Sequence, residues 1–452
     1  MLSPARILFF PARRCRLAGL LFSMAASSSV GAIDLLELYQ QALASEPTFR
    51  AARAEADAAR ESLPQARSQL LPNLQGAGSN SRASTSQEQQ GRPEQEFEYT
   101  TANYSLTLRQ PLYRPQAWAA YQQAKINMEG YQAKLDGEEQ SLGGRLAGAY
   151  FDALMAEDSL AFIVAQKEAY SGQLGAARQG FKFGEGTRTE IDEAQARYDL
   201  TLAQELQARQ NSRFTRHQLE TLVNIPVTSL ARLDPARLDL GPLQPASLEE
   251  WMARTVERNP QMRQLNAMLE AARQEVVKAR AGHLPTVDVF MQYRKTDSDS
   301  ETTINQKNTT TQLGLQVSIP LFSGGYTQST VRQAQANVER LQEQGEAVRR
   351  ALQLQVRKEF QSVVEGQENI RANEVAVHSA EQAVISTRKG VEAGMRTSLD
   401  VLNALQQKAT SARNLANARY QYAMARIRLM SLTGSLDLES IKIVNRWLER
   451  ES

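Results

Sequence analysis

The sequence predicts an α+β membrane protein, internally duplicated, in which amphipathic strands run directly into helices too long for a compact domain. Three observations predict it. Between Thr309 and Val391 the apolar period changes from two to seven; nearly every punctuating residue of the first half returns about 210 residues later; and no run of eighteen apolar residues offers a membrane helix.

The change of period is the clearest signal. Thr311, Leu313, Leu315, Val317 and Ile319 alternate with Gln312, Gly314, Gln316 and Ser318, a strand with one apolar face that Pro320 and Gly324-Gly325 then break. From Val331 the apolar or small positions are Ala334, Val338, Leu341, Gly345, Val348 and Leu352, the seam of a coiled coil. The pattern continues to Val391, and about 65 to 70 residues rising 1.5 Å each span about 100 Å. Such a junction implies a chain that enters a membrane as sheet and crosses an aqueous space as helix.

Taken in order, residues 1–32 form a signal peptide: Arg6, Arg13, Arg14 and Arg16 precede the apolar stretch Leu17 to Ala26, and small residues ending Val30-Gly31-Ala32 supply the cleavage site. The only cysteine, Cys15, leaves with it, so the mature chain has no disulfide and relies on packing and assembly. Removing four arginines from 52 basic residues leaves 48 against 50 acidic ones. That balance argues against nucleic acid as a partner.

Residues 33–232 are a first structural repeat, 233–246 a Pro-rich linker, 247–434 a second repeat and 435–452 a short C-terminal segment. Glu46-Pro47 matches Asn259-Pro260 and Leu71-Pro72-Asn73-Leu74 matches Leu284-Pro285-Thr286-Val287, both at an offset of 213. Gln110-Pro111-Leu112-Tyr113 matches Ile319-Pro320-Leu321-Phe322 at 209, and Phe183 to Thr187 matches Ala393 to Thr397 at 210. Each copy reads helix, strand, polar loop, strand, long helix, turn, helix. In the first, Leu35 to Ala44 and Phe49 to Leu70 are helical, interrupted at Pro47. Strands are expected near Leu74 to Ser79 and over Ala102 to Leu108, with Asn80 to Glu96 a solvated loop. The long helix runs from Trp118 to Phe181 and its partner from Thr189 to Val223. In the second copy, strands Val287 to Tyr293 and Thr311 to Ile319 flank a loop from Lys295 to Thr310, and Leu399 to Leu432 closes the copy.

Four strands in lipid leave edges whose backbone groups hydrocarbon cannot satisfy, so one chain cannot close a barrel. Two chains would give eight strands, an interior filled by side chains; an open duct favours three or more. The duplicated strand-and-rod unit, the Leu-Pro and Pro-Leu-Phe/Tyr junctions and the turn Gly394-Met395-Arg396-Thr397-Ser398-Leu399-Asp400 resemble the TolC family of outer-membrane channel proteins over essentially the whole mature chain. The resemblance implies a homotrimer, with a twelve-stranded barrel in outer-membrane lipid continued by a periplasmic coiled-coil barrel. It implies an exit duct for efflux or type I secretion, joined to an inner-membrane transporter by a periplasmic adaptor, with drugs and secreted proteins equally open as cargo. The competing reading is a periplasmic coiled-coil adaptor without a pore, which would explain the helices but not four amphipathic strands joined to rods.

No catalytic, cofactor or metal constellation is read from the sequence: His217, His283 and His378 lie far apart, and Gly180 to Thr187 ends a helix and lacks a phosphate-binding lysine. The resemblance instead places a periplasmic tip at two helix turns, Gly184 to Glu190 and Gly394 to Asn403. It implies adaptor contact at Phe183, Gly184 and Glu185 in one turn and Gly394 and Met395 in the other. It also implies a gate, because Arg396 stands where the family has an arginine bridging to a neighbouring protomer, and Thr189 and Glu190 stand where its acceptors lie. An ordinary solvated bridge of this kind is worth about 0 to 1 kcal/mol. Val391 replaces a tyrosine that shares in the network of related channels. Asp400 is, on residues alone, a carboxylate favoured near a helix N-terminus. The resemblance adds a ring of such carboxylates facing the lumen, whose mutual repulsion would raise their affinity for protons. A second acidic ring would fall at Asn403, a neutral amide here.

Overall fold

A computed structural model describes residues 32–88, 90–298 and 306–449. The expected leader lies outside the described residues apart from Ala32. Asp34 caps α1 (Leu35–Ser45) by accepting the Glu37 N–H at 2.8 Å. Pro47 opens α2 (Pro47–Arg60), where the buried Glu46 carboxylate accepts the Phe49 N–H. The single helix expected from Phe49 to Leu70 is in fact two, with α3 (Ser62–Ser68) following a break at Glu61. Pro64 has no N–H for the Arg60 carbonyl and its ring crowds that oxygen, so the ladder restarts.

The strands β1 (Asn73–Gln87), β2 (Gln95–Tyr113), β3 (Thr286–Ser298) and β4 (Gln306–Ser318) form one antiparallel sheet in that order. They are longer than the sequence suggested. The stretch Asn80 to Glu96 is mostly paired strand rather than loop, in register from Asn80 opposite Ala102 to Gln87 opposite Gln95. Lys295 to Ser298 and Gln306 to Thr309 likewise pair with each other. The physical reason is that an alternating apolar face is needed only where a strand meets an apolar medium. Beyond it, polar cross-strand pairs hold the ladder, including Ser84 with Glu96 at 2.9 Å, Lys307 with Asp297 at 3.1 Å, and Arg82 with Glu98.

Residues directly opposite in an antiparallel pair share a face. Leu74, Leu108, Met291 and Leu313 therefore form one row, and Leu106 and Tyr293 belong to the next. All are exposed, Leu313 by 74%. Each such side chain left in water forgoes about 1.5 to 3 kcal/mol, so the face requires an apolar cover. The opposite face carries Gln75, Thr107, Gln292 and Gln312 in one row. Among the described residues, the outer edges of β1 and β4 have no strand partner.

Arg114 precedes α4 (Pro115–Phe183), whose 69 residues span about 100 Å. Its guanidinium grips the buried Asp288 of β3 with two bonds, 2.9 and 2.7 Å, pinning the sheet to the start of the rod. After α4 come α5 (Arg188–Val223), α6 (Leu248–Arg258), α7 (Pro260–Arg280), the 67-residue α8 (Tyr326–Glu392), α9 (Ser398–Leu432) and α10 (Leu438–Asn445). Near the sheet α4 and α8 pack on α7; towards the other end α4 packs on α5 and α9, and α8 on α9. The expected seam is the side of α8 that turns inward, with Ala334 and Leu352 buried and Val331, Val338, Leu341, Gly345 and Val348 half-buried. No described helix is long and apolar enough to cross a membrane.

The largest core lies partway along the rods. There Tyr150 donates to the Ala231 carbonyl at 2.7 Å and Tyr422 to that of Asp239 at 2.7 Å, so the segment between α5 and α6 is laced to α4 and α9. Trp447 and Leu448 are buried in the same core, and Leu448 pairs with Leu233. A smaller cluster, with Tyr170, Leu174, Val384 and Leu402, stiffens the rods near their far end.

Candidate functional site

Two turns close that end, and both are built the same way. Gly184 ends α4 at φ +75°, Gly394 follows α8 at φ +71°, and neither value suits a residue with a Cβ. The Glu185 N–H reaches back to the Gly180 carbonyl at 2.9 Å, and the Met395 N–H to that of Gly390 at 2.8 Å, satisfying the last helix carbonyls. Each returning helix then opens on a reciprocal capping box. The Glu190 N–H donates to Thr187 Oγ1 at 3.3 Å while Thr187 N–H donates to Glu190 Oε2 at 2.8 Å. Thr397 and Asp400 repeat this at 3.3 and 2.9 Å. Both reversals thus satisfy polar groups at the helix end they leave and at the helix start they enter.

The decoration differs. Phe183 is 74% exposed at one turn and Met395 78% exposed at the other, each a large apolar side chain with no cover in this chain. Arg396 stands where the first turn has Gly186. Its N–H bonds the Gly390 carbonyl at 3.1 Å and its stem crosses Gly390 so closely that a methyl there would lie 2.7 Å from Arg396 Cγ. At Gly180, the matching position, a methyl would meet nothing nearer than 3.9 Å. Gly390 thus seats Arg396, a role the sequence reading missed. The signal was available at the 210-residue offset, where Gly180 and Gly186 become Gly390 and Arg396.

Within this chain Glu190 is turned onto Thr187 and Arg396 lies 4.0 Å from Asp400. Among the described residues Arg396 and Glu190 form no ion pair within this chain. Hydrogen bonds from the Thr397 N–H and hydroxyl, helped by the field of Arg396, hold the Asp400 carboxyl below the usual range. Within the single chain that direction is set by the cap. Thr189, beside Glu190 in the first turn of α5, is exposed. Val391 packs against the small apolar cluster. Asn403 is not idle: its side-chain oxygen accepts from Arg197 Nη2 at 3.3 Å, while Arg197 Nη1 reaches Gln406 at 2.6 Å. Gln173 of α4 donates to Ser398 at 2.7 Å. These bonds lock the two hairpins together; sequence reasoning missed Arg197 and Gln173 because their partners lie on another hairpin.

Comparison with known proteins shows the family and the fold. Residues 38–224 and 251–435 match the family described as outer membrane efflux protein. The chain is 35% identical over 419 residues to the alkaline protease secretion protein AprF of Pseudomonas aeruginosa, covering 91% of this chain and 87% of AprF. It is 31% identical over 438 residues to the outer membrane protein TolC of Escherichia coli, covering 94% and 87%. The crystal structure of the Campylobacter jejuni CmeC outer membrane channel superposes with a TM-score of 0.77 at 16% identity, over 97% of this chain and 98% of CmeC.

Proposed function

This chain belongs to the outer membrane efflux protein family, and we propose that it works there as a homotrimer, three four-stranded sheets closing one barrel above a tube of paired helices. It is an outer-membrane exit duct that extends into the periplasm. The observation that carries the trimer is the sheet itself, apolar on one face and open at both edges, joined directly to rods of about 100 Å. A pore-free periplasmic adaptor is not favoured, because it has no use for an uncovered apolar sheet face.

The substrate path starts at an inner-membrane transporter and passes a periplasmic adaptor, which docks on the two glycine turns through Phe183, Gly184, Glu185, Gly394 and Met395. Exposed Phe183 and Met395 supply apolar anchors, and the glycines let another backbone approach. The resting tip is held shut by Arg396 of one copy against Thr189 and Glu190 of the next, with Asp400 and Asn403 lining the constriction. Greater identity to AprF than to TolC supports a secreted protein as cargo. Deleting the gene and comparing the secreted proteome with drug susceptibility tests this. The expected result is loss of a secreted protein with unchanged susceptibility; the reverse pattern assigns drug efflux. Outer-membrane fractionation and heat-modifiable migration of the purified protein test the barrel, and recovery in the soluble periplasm would overturn it.

A further inference from the structure

The water-facing side of the sheet is not neutral. Its charged residues, among the described residues, are Arg109, Arg294 and Asp288, and the remaining charges of the strands lie on the other face, beyond the apolar rows: Arg82, Glu96, Glu98, Lys295, Asp297 and Lys307. Asp288 is buried in the two-bond grip of Arg114. Arg109 lies near enough to feel that carboxylate, but the ion pair is made by Arg114, so one carboxylate faces three arginines counting Arg294 and the balance stays at two positive charges. Arg109 and Arg294 are exposed, and no carboxylate of the described residues stands within ion-pair distance of either. Among the described residues they hydrogen-bond only neutral amides, Gln316 at 3.2 Å and Asn103 at 3.5 Å.

We infer that the barrel lumen is an anion-preferring passage, set by Arg109 and Arg294, which give each chain two uncompensated positive charges facing the water path. The inference rests on the barrel reading above. Arg109 is opposite Phe290, four residues from Arg294 on β3, so the two tiers lie about 13 Å apart along the strand. Guanidinium groups stay charged at any physiological pH. Three copies around one axis put six such charges in a narrow, low-dielectric wall, which concentrates anions and repels cations. A carboxylate-rich chain threading the duct would meet this field after leaving the tip, where Asp400 carries the opposite sign.

The test places one thiol between the tiers, which is simple in a mature chain expected to have none. Gln292→Cys, with Cys15→Ser for safety, reports the local potential through its reaction with a sulfonate-bearing and an ammonium-bearing methanethiosulfonate. Rates are measured in outer-membrane vesicles at low salt, each divided by its rate with a free thiol, so the distant tip does not enter. The expected normalised ratio favours the anionic reagent about threefold or more. It should fall towards one in Arg109→Gln/Arg294→Gln and persist in Arg109→Lys/Arg294→Lys. A ratio near or below one in the parent, or the same ratio in the Gln and parent forms, overturns the inference while leaving a pore. Failure of both reagents to reach the thiol removes the water-facing assignment, and the barrel reading with it.

Discussion

The two turns at the helical tip share a backbone plan and differ in what they display. Both use a left-handed glycine, a carbonyl satisfied from beyond the helix and a threonine capping box, because any αα-hairpin must solve the same problem of orphaned backbone groups. Only the second seats an arginine, and it does so by keeping position 390 free of a side chain. Backbone geometry is therefore what the copies must both retain, and the side chains over it are where they specialise.

The largest effect should come from attacking what is common. Gly184→Trp or Gly394→Trp forces a bulky residue into a left-handed backbone, at a cost of about 1 to 2 kcal/mol, and would cover the proposed docking surface. Loss of cargo secretion and of adaptor crosslinking is expected from either; crosslinking unchanged in one would show that the adaptor reads a single turn. The next test breaks the asymmetry. Arg396→Ser should raise single-channel conductance severalfold in planar bilayers, since the proposed latch would lose three links of about 0 to 1 kcal/mol each together. Unchanged conductance with intact trimers would dispose of the latch.

Gly390→Ala sharpens the comparison, because its methyl displaces the Arg396 stem whereas Gly180→Ala meets open space. A partial rise in conductance from the first and none from the second is expected, and equal effects would deny Arg396 its special seat. The smallest effects concern charge. Asp400→Asn should weaken block of the channel by a trivalent cation, but Asn403→Asp should strengthen it little, because Arg197 already faces that side chain and would pair with the new carboxylate. Since the folded-state pKa of Asp400 is lowered, its contribution to the cap is complete above the ordinary aspartate pKa and fades as pH falls through the lowered one. Conductance titrated with acid should accordingly show no Asp400-dependent step at or above the ordinary aspartate range.

Much of this architecture could be read from residues alone, and the exceptions share a cause. The seam of α8, the helix restart at Pro47 and the glycine turns follow from local rules, and they stand where the sequence put them. The polar outer halves of the strands were misread because alternation marks a strand only where one face meets an apolar medium; Ser84 opposite Glu98 carries no such mark. Pro64 was overlooked inside an otherwise helical pattern. At the tip, the caps were legible and the cross-links from Arg197 and Gln173 were not, since pairings between hairpins depend on how four rods dock and have no period along the chain.

The open edges of β1 and β4 bear on how this protein comes into being. In the homotrimer proposed above, the flanking N–H and C=O groups find partners only on other copies, so insertion into hydrocarbon would not precede encounter. Biogenesis then depends on chain concentration more steeply than synthesis does. At low expression the polypeptide waits in the aqueous compartment with an adhesive apolar face, in reach of chaperones and proteases. Modest changes in supply should thus switch the outer membrane between nearly empty and well stocked, a threshold written into the chain by the strands it leaves unfinished.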